Sequence, residues 1–312
     1  MKKILAVLLA AMLLCLLPAC QKKPTEEESS VPDPTDSSET HPGSETVPTV
    51  PSVTEPAETS QAATEPPATQ PPATEPPPAE TVRITIKEGE TLTQIFKKLE
   101  QGGVASFDAL MKTAQSYDYS YYPLIAARPG NAERCFLLEG YLFPDTYEFY
   151  VGMKPQDAIG RFLRNGENRI TAAMRQQASA LGYSMDEVLT VASLIQKEGS
   201  NPAEVAKIAG VIYNRLDQGM PLQMDSTKDY IEKHVKPFLT GDINRYNSYY
   251  NTYKCRALPA GPIANPGLTT INAALHPADV TYLFFFHDSQ GNYYYSNTYE
   301  EHDQKIKEIN GQ

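Results

Sequence analysis

The 312-residue chain has no tryptophan, only five histidines and four cysteines. The histidines are scattered, and neither C-x-x-C nor H-E-x-x-H occurs, so the ligand spacings of zinc sites are missing and no metal site is expected. Cys15 and Cys20 stand near the N-terminus. The other two cysteines, Cys135 and Cys255, lie too far apart for spacing alone to establish a disulfide. A basic excess is also missing: the net charge is −11. Twelve of the 38 acidic residues fall between Pro24 and Thr81, where no Lys or Arg stands, and the remainder of the chain is close to balanced. Nucleic acid is therefore not an expected partner.

What is present begins with a secretory signal. Met-Lys-Lys is followed by an apolar run over 4–17, short for a bilayer span, and then by Leu17-Pro18-Ala19-Cys20. Ending on cysteine, residues 1–20 resemble a bacterial lipoprotein signal with Cys20 as the lipidated residue, although Pro18 is an unusual occupant of its position. An ordinary signal peptide or uncleaved anchor is the alternative. Residues 21–81 are rich in Pro, Thr, Ser and Glu and repeat the pentapeptides ATEPP, ATQPP and ATEPP. Such a segment has nothing to bury and is expected to be a disordered spacer with polyproline II stretches. The rest of the chain is then expected outside the cytoplasm, anchored by lipid to the outer face of the cytoplasmic membrane.

From Val82 onward the patterning is that of an α+β fold. An alternating strand over 82–87 leads through EGET to a helix capped by Thr91 and stopped at Gly102-Gly103, and a second helix follows over about 106–115. This short βαα pattern resembles the LysM-like module, a glycan binder in many wall proteins, and sets a subdomain over 82–130 ahead of a larger domain over 131–312. EGYLFPDTYEF (139–149) suggests strands flanking a Pro-Asp turn. Residues 154–181 suggest one or two helices. Ser184 with Glu187 forms a capping box for a helix over about 185–197, and Asn201, Pro202 and Glu204 are expected to open the next, running to Asp217. Three prolines and two glycines make 258–267 a rigid loop. Residues 281–286 (TYLFFF) read as a buried strand with a hairpin partner over 293–296.

One carboxylate stands out. Ile195, Leu194 and Val191 precede Glu198 by three, four and seven residues and share its side of the helix. A carboxyl group held against apolar surface favours its protonated form, and the unpaired carbonyls at a helix end push the same way. A protonated acid near neutral pH is a general acid. A glutamate that merely ends an amphipathic helix and turns to solvent is the competing reading.

Five blocks weigh on that choice. EGYLFPDTYEF, VASLIQKEGS, VIYNRLDQGMPLQMDST, YYNTY and LPAGPIANPGLTTINAALHPADVTYLFFF, in this order, resemble the MltG (YceG-like) endolytic murein transglycosylases. The resemblance spans Val82 to the C-terminus. It implies a LysM-like subdomain followed by an α+β catalytic domain that cuts the MurNAc–GlcNAc β-1,4 bond of nascent peptidoglycan near the membrane, with no cofactor. The family's acid is the second acidic position of an E-K-E-like helix end. Here the first position is Gln196, which leaves Glu198 as the implied acid. The matched blocks also imply substrate contacts from Gln223, Asp225, Asn251 and Tyr253, with Glu139, Tyr141 and Tyr147 on an opposite wall. Met224, Ser226, Ala257 and Ala260 depart from the usual family residues. Glycan strands, the membrane and peptidoglycan synthases are the implied partners.

Other roles are open for these residues. Asp225 could cap a helix, and Glu139 could pair with Arg215 inside the fold. Two rival functions also remain. With Asp225 as a second carboxylate the protein would be a muramidase that uses water. Without chemistry it would be a lipid-anchored glycan-binding or scaffold protein.

Overall fold

The computed structural model describes residues 80–130, 132–199, 201–255 and 257–311; the signal, Cys20 and most of the spacer lie outside these. The first strand, β1 (Thr81–Thr85), is followed by α1 (Leu92–Gln101), α2 (Phe107–Ser116) and a short α3 (Pro123–Ala126). Thr91 and Gln94 close the capping box of α1, and Gln94 Oε1 accepts the Thr91 N–H at 2.9 Å. The partner of β1 comes from beyond residue 130. It is β2 (Thr146–Tyr150), antiparallel, with Ile84 opposite Tyr147. This pairing joins the segment before the boundary expected at 130 to the segment after it, and all described residues belong to one compact unit. Only one strand forms in the EGYLFPDTYEF block, because its first half turns at Gly140. Gly140 has φ +87, and a Cβ there would meet Pro262 at 2.4 Å. Glycine is needed for both reasons.

Helices α4 (Pro155–Arg169) and α5 (Ala172–Ala180) lead to α6 (Met185–Glu198), whose residues 188–195 are all buried. Ser184 Oγ accepts the Glu187 N–H at 3.2 Å, and Glu187 Oε2 accepts the Ser184 N–H at 2.8 Å, so both bonds of the capping box form. Next comes α7 (Val205–Asp217). It starts later than the proline suggested: Asn201 Oδ1 accepts the Ala203 N–H at 3.0 Å, and that turn occupies 201–204. The short helices α8 (Asp225–Tyr230) and α9 (Tyr246–Tyr250) precede α10 (Leu268–Leu275), which packs on α6 and α7.

The C-terminal hairpin pairs β3 (Phe284–His287) with β4 (Tyr293–Ser296), and α11 (Tyr299–Asn310) packs on it. The hairpin is half-buried, contrary to the buried strand expected from its phenylalanines, and it begins three residues later than expected. Asn214 Nδ2 donates to the carbonyls of Val280 (2.7 Å) and Tyr282 (3.0 Å), so side-chain bonds hold the approach to β3. Helices and two small antiparallel sheets together make an α+β architecture. Cys135 and Cys255 are both free thiols.

Candidate active site

The end of α6 carries the site. Glu198 is half-buried at the last position of the helix, and the turn after it is held close to the hairpin. The Tyr293 hydroxyl donates to the Glu198 carbonyl at 3.1 Å. A Cβ on Gly199 would meet that hydroxyl at 1.9 Å, so the close approach requires glycine there. The Glu198 carboxyl accepts one hydrogen bond on Oε1, from Ser226 Oγ at 2.7 Å in the first turn of α8. Burial raises its pKa above the ordinary carboxylate range; the Ser226 bond and His287 oppose the rise, and Asp225 adds to it. Burial dominates, and the group holds its proton more firmly than a solvated glutamate.

A cavity of about 350 Å³ opens on one side of Glu198, lined by Arg215, Gln223, Asp225, Tyr253, Phe284 and Tyr299 among others. A second, also about 350 Å³, opens on the other side against Lys197, Ser226, Asp229, Lys233 and His234. Glu198 and Asp225 border both. An extended chain could therefore pass the acid with units on either side of it.

Arg215 builds the floor of the first cavity. Its guanidinium donates to the carbonyls of Leu283 (2.7 Å), Pro221 (3.1 Å) and Leu222 (2.6 Å) and lies over the Phe284 ring. These bonds hold the chain into Gln223, whose φ of +57 is the only positive value outside glycine among the described residues. The Gln223 N–H donates to the Thr252 carbonyl at 3.1 Å, and Thr252 Oγ1 accepts the Met224 N–H at 2.8 Å. The LQMDST and YNTY blocks are thereby held side by side.

Of the residues singled out from sequence, Glu198, Gln223, Asp225 and Tyr253 share the first cavity. Asp225 accepts from the Tyr253 hydroxyl (2.9 Å) and from Lys228 (2.7 Å), and these bonds keep its carboxylate below the usual range. Asn251 is buried one step behind, where its Oδ1 accepts the Tyr253 N–H at 3.0 Å. The residues expected on an opposite wall lie elsewhere. Glu139 is 1% exposed and accepts from the Leu92 N–H (2.9 Å), Asn265 Nδ2 (3.0 Å) and the Tyr230 hydroxyl (3.2 Å). It does not pair with Arg215. Tyr141 is buried and donates to Asp186, which also pairs with Arg134. Tyr147 borders a separate shallow groove with Arg161, Arg164, Asn165 and Asn168.

Sequence reasoning missed Arg215 as a floor, Lys197, and above all Ser226, which entered only as a departure from the family. Gln196 faces away from the cavities: its Oε1 accepts from the Gly267 N–H (3.1 Å) and Thr270 Oγ1 (3.0 Å) at the start of α10. Among the described residues no cluster of His, Cys, Asp and Glu could hold a metal ion, and no helix is long and apolar enough to cross a membrane.

Comparison with known proteins places this geometry. The family model described as "YceG-like family" matches residues 68–308. An endolytic murein transglycosylase of Bacillus subtilis (strain 168) is 40% identical over 172 residues, 55% of this chain and 47% of that protein. The same-named protein of Streptococcus pneumoniae serotype 2 is 31% identical over 243 residues, 72% of this chain and 44% of that protein. The chain thus spans about half the length of the curated relatives it matches. A crystal structure of a yceG-like protein from Listeria monocytogenes superposes with a TM-score of 0.62 at 31% identity, covering 72% of this chain and 75% of that one. The chain belongs to the YceG-like family.

Proposed function

We propose that the protein is an endolytic peptidoglycan lytic transglycosylase with Glu198 as its single acid and base. One observation carries the reading: a half-buried carboxyl with a raised pKa stands at the junction of two cavities. In the reaction, protonated Glu198 gives its proton to the oxygen joining C1 of MurNAc to GlcNAc. That C1–O bond breaks, and GlcNAc leaves with a hydroxyl. The oxocarbenium-like C1 is captured by the C6 hydroxyl oxygen of the same MurNAc, and the released proton returns to the Glu198 carboxylate. The product is a 1,6-anhydro end, and no water is consumed. Since the nucleophile is part of the substrate, orientation supplies much of the rate. One group can serve both steps when its pKa is near the working pH.

Gln223, Asp225 and Tyr253 are read as sugar contacts, and Asn251 as the residue that positions Tyr253. The reading also takes Cys20 as a lipid anchor, places the enzyme outside the cytoplasm at the membrane, assigns residues 82–130 as LysM-like, and has peptidoglycan synthases as neighbours. Asp225 keeps a hydrolytic alternative in view, because it borders the same two cavities as Glu198.

The test is release of anhydro-muropeptides from uncrosslinked glycan strands by the purified protein and by Glu198→Gln. Loss of a general acid and base typically costs about 10²–10⁴-fold, so the variant is expected to be inactive on that scale. Equal release by both proteins would remove Glu198 from the reaction. No release by either would favour the glycan-binding role.

A further inference from the structure

The cavity on the α8 side of Glu198 carries charge that the reaction above does not use. Its lining is acidic at Glu198, Asp225 and Asp229, whereas Lys197, Lys233 and His234 stand along its wall. Among the described residues no carboxylate pairs with Lys197; its ammonium only approaches the Gly89 carbonyl at 3.5 Å. Lys233 pairs with Asp229 at 2.8 Å, but both side chains are more than 60% exposed. An exposed pair of this kind contributes little and exchanges readily for another carboxylate. Burial first, then Lys197, Lys233 and Lys97, holds the His234 imidazole below its usual range while Asp229 opposes them, so the charge of the lysines is felt at this wall. The nearby buried Glu139 does not cancel it, since its pKa is pushed up to about 8 by burial and it is mostly neutral at neutral pH.

A fitting ligand has uncharged units at the acid and carboxylates a short way to one side. Peptidoglycan offers that arrangement at one sugar only: MurNAc bears a peptide on its lactyl group, and GlcNAc bears none. We propose that this cavity seats the stem peptide of the MurNAc at the reacting bond, with Lys197 and Lys233 taking its carboxylates. Lys197 and Glu198 line the same cavity, so the carboxylate that Lys197 holds lies near the reacting sugar. The seat makes stem-bearing strands the preferred substrate and rests on the transglycosylase reading.

Binding tests the seat separately from the chemistry. Glu198→Gln protein is titrated with uncrosslinked strands whose stems carry free carboxylates and with the same strands whose stem carboxylates are blocked as methylamides. Stripping the stems with an amidase would instead leave a new lactyl carboxylate on each MurNAc. Two exposed charge-assisted contacts are expected to favour the strands with free stem carboxylates by about ten-fold. Adding Lys197→Met and Lys233→Met should bring that preference to about one, and raised salt should shrink it in the parent protein. Both lysines are exposed, so their replacement leaves the fold in place. A preference that survives both replacements, or no preference in Glu198→Gln itself, overturns the proposal. Anhydro-product release by the unaltered protein remains the separate measure of the reaction.

Discussion

Glu139 is buried with no cation bonded to it among the described residues, and its replacement by glutamine has a calculable consequence. The carboxyl sits among the Leu92 N–H, Asn265 and Tyr230, and burial lifts its pKa from 4.5 to about 8, against the opposing pull of those hydrogen bonds and of Lys197. A folded pKa above the unfolded one means that the folded state binds the extra proton. The stability this contributes is complete below about pH 4.5 and is lost as pH rises through about 8. At about 1.4 kcal/mol per pH unit, the loss between roughly pH 6 and roughly pH 8 is on the order of 2–3 kcal/mol. Glutamine reproduces the protonated acid: its carbonyl accepts from Leu92 and Asn265, and its amide faces the Tyr230 oxygen. Glu139→Gln should therefore match the parent only near pH 4.5 and gain on it as pH rises, the difference growing by roughly 2 kcal/mol between about pH 6 and about pH 8. Urea unfolding followed by circular dichroism across that range measures both proteins, and their difference isolates this one group. Parallel pH dependences in the two proteins would refute the reasoning.

Two further substitutions probe the site. Ser226→Ala removes the hydrogen bond that favours the Glu198 carboxylate, a bond contributing about 1 kcal/mol. The Glu198 pKa should rise further, and the high-pH limb of kcat/KM should move to more alkaline pH; a shift toward acid would contradict the assignment. Gln196→Glu restores the first acid of the family pattern, but that side chain bonds to Gly267 and Thr270 at the start of α10. A helix N-terminus favours the anion, so the new carboxylate would be a poor proton donor. Placed in the Glu198→Gln background, it should restore no product release, and any recovery would show that the acid's position is not unique.

Local signals carried far in this chain. The box of Ser184 and Glu187 forms as its spacing indicates, and the hairpin forms across the 288–291 turn, because neighbours in sequence settle both. The hairpin's burial was not legible: Phe284 and Phe286 pack against His302 of α11 and keep partial exposure, a contact no strand pattern contains. The place of Glu139 was illegible for a related reason. The first N–H groups of a helix lack partners within it, and Leu92, the first residue of α1, finds this carboxyl 47 residues away. Ser226 likewise meets Glu198 only because α8 packs across the end of α6. The apolar helix that bears Glu198 could be read from the sequence; the single hydroxyl that tempers its acidity could not.

The oxygen that fills C1 of MurNAc decides the account most directly. Strands digested in heavy-oxygen water and analysed by mass spectrometry should give ends one water lighter than a reducing end and free of label, since the capturing oxygen belongs to the sugar. Reducing ends in place of anhydro ends would mean that water is the nucleophile and that Glu198 does not act alone.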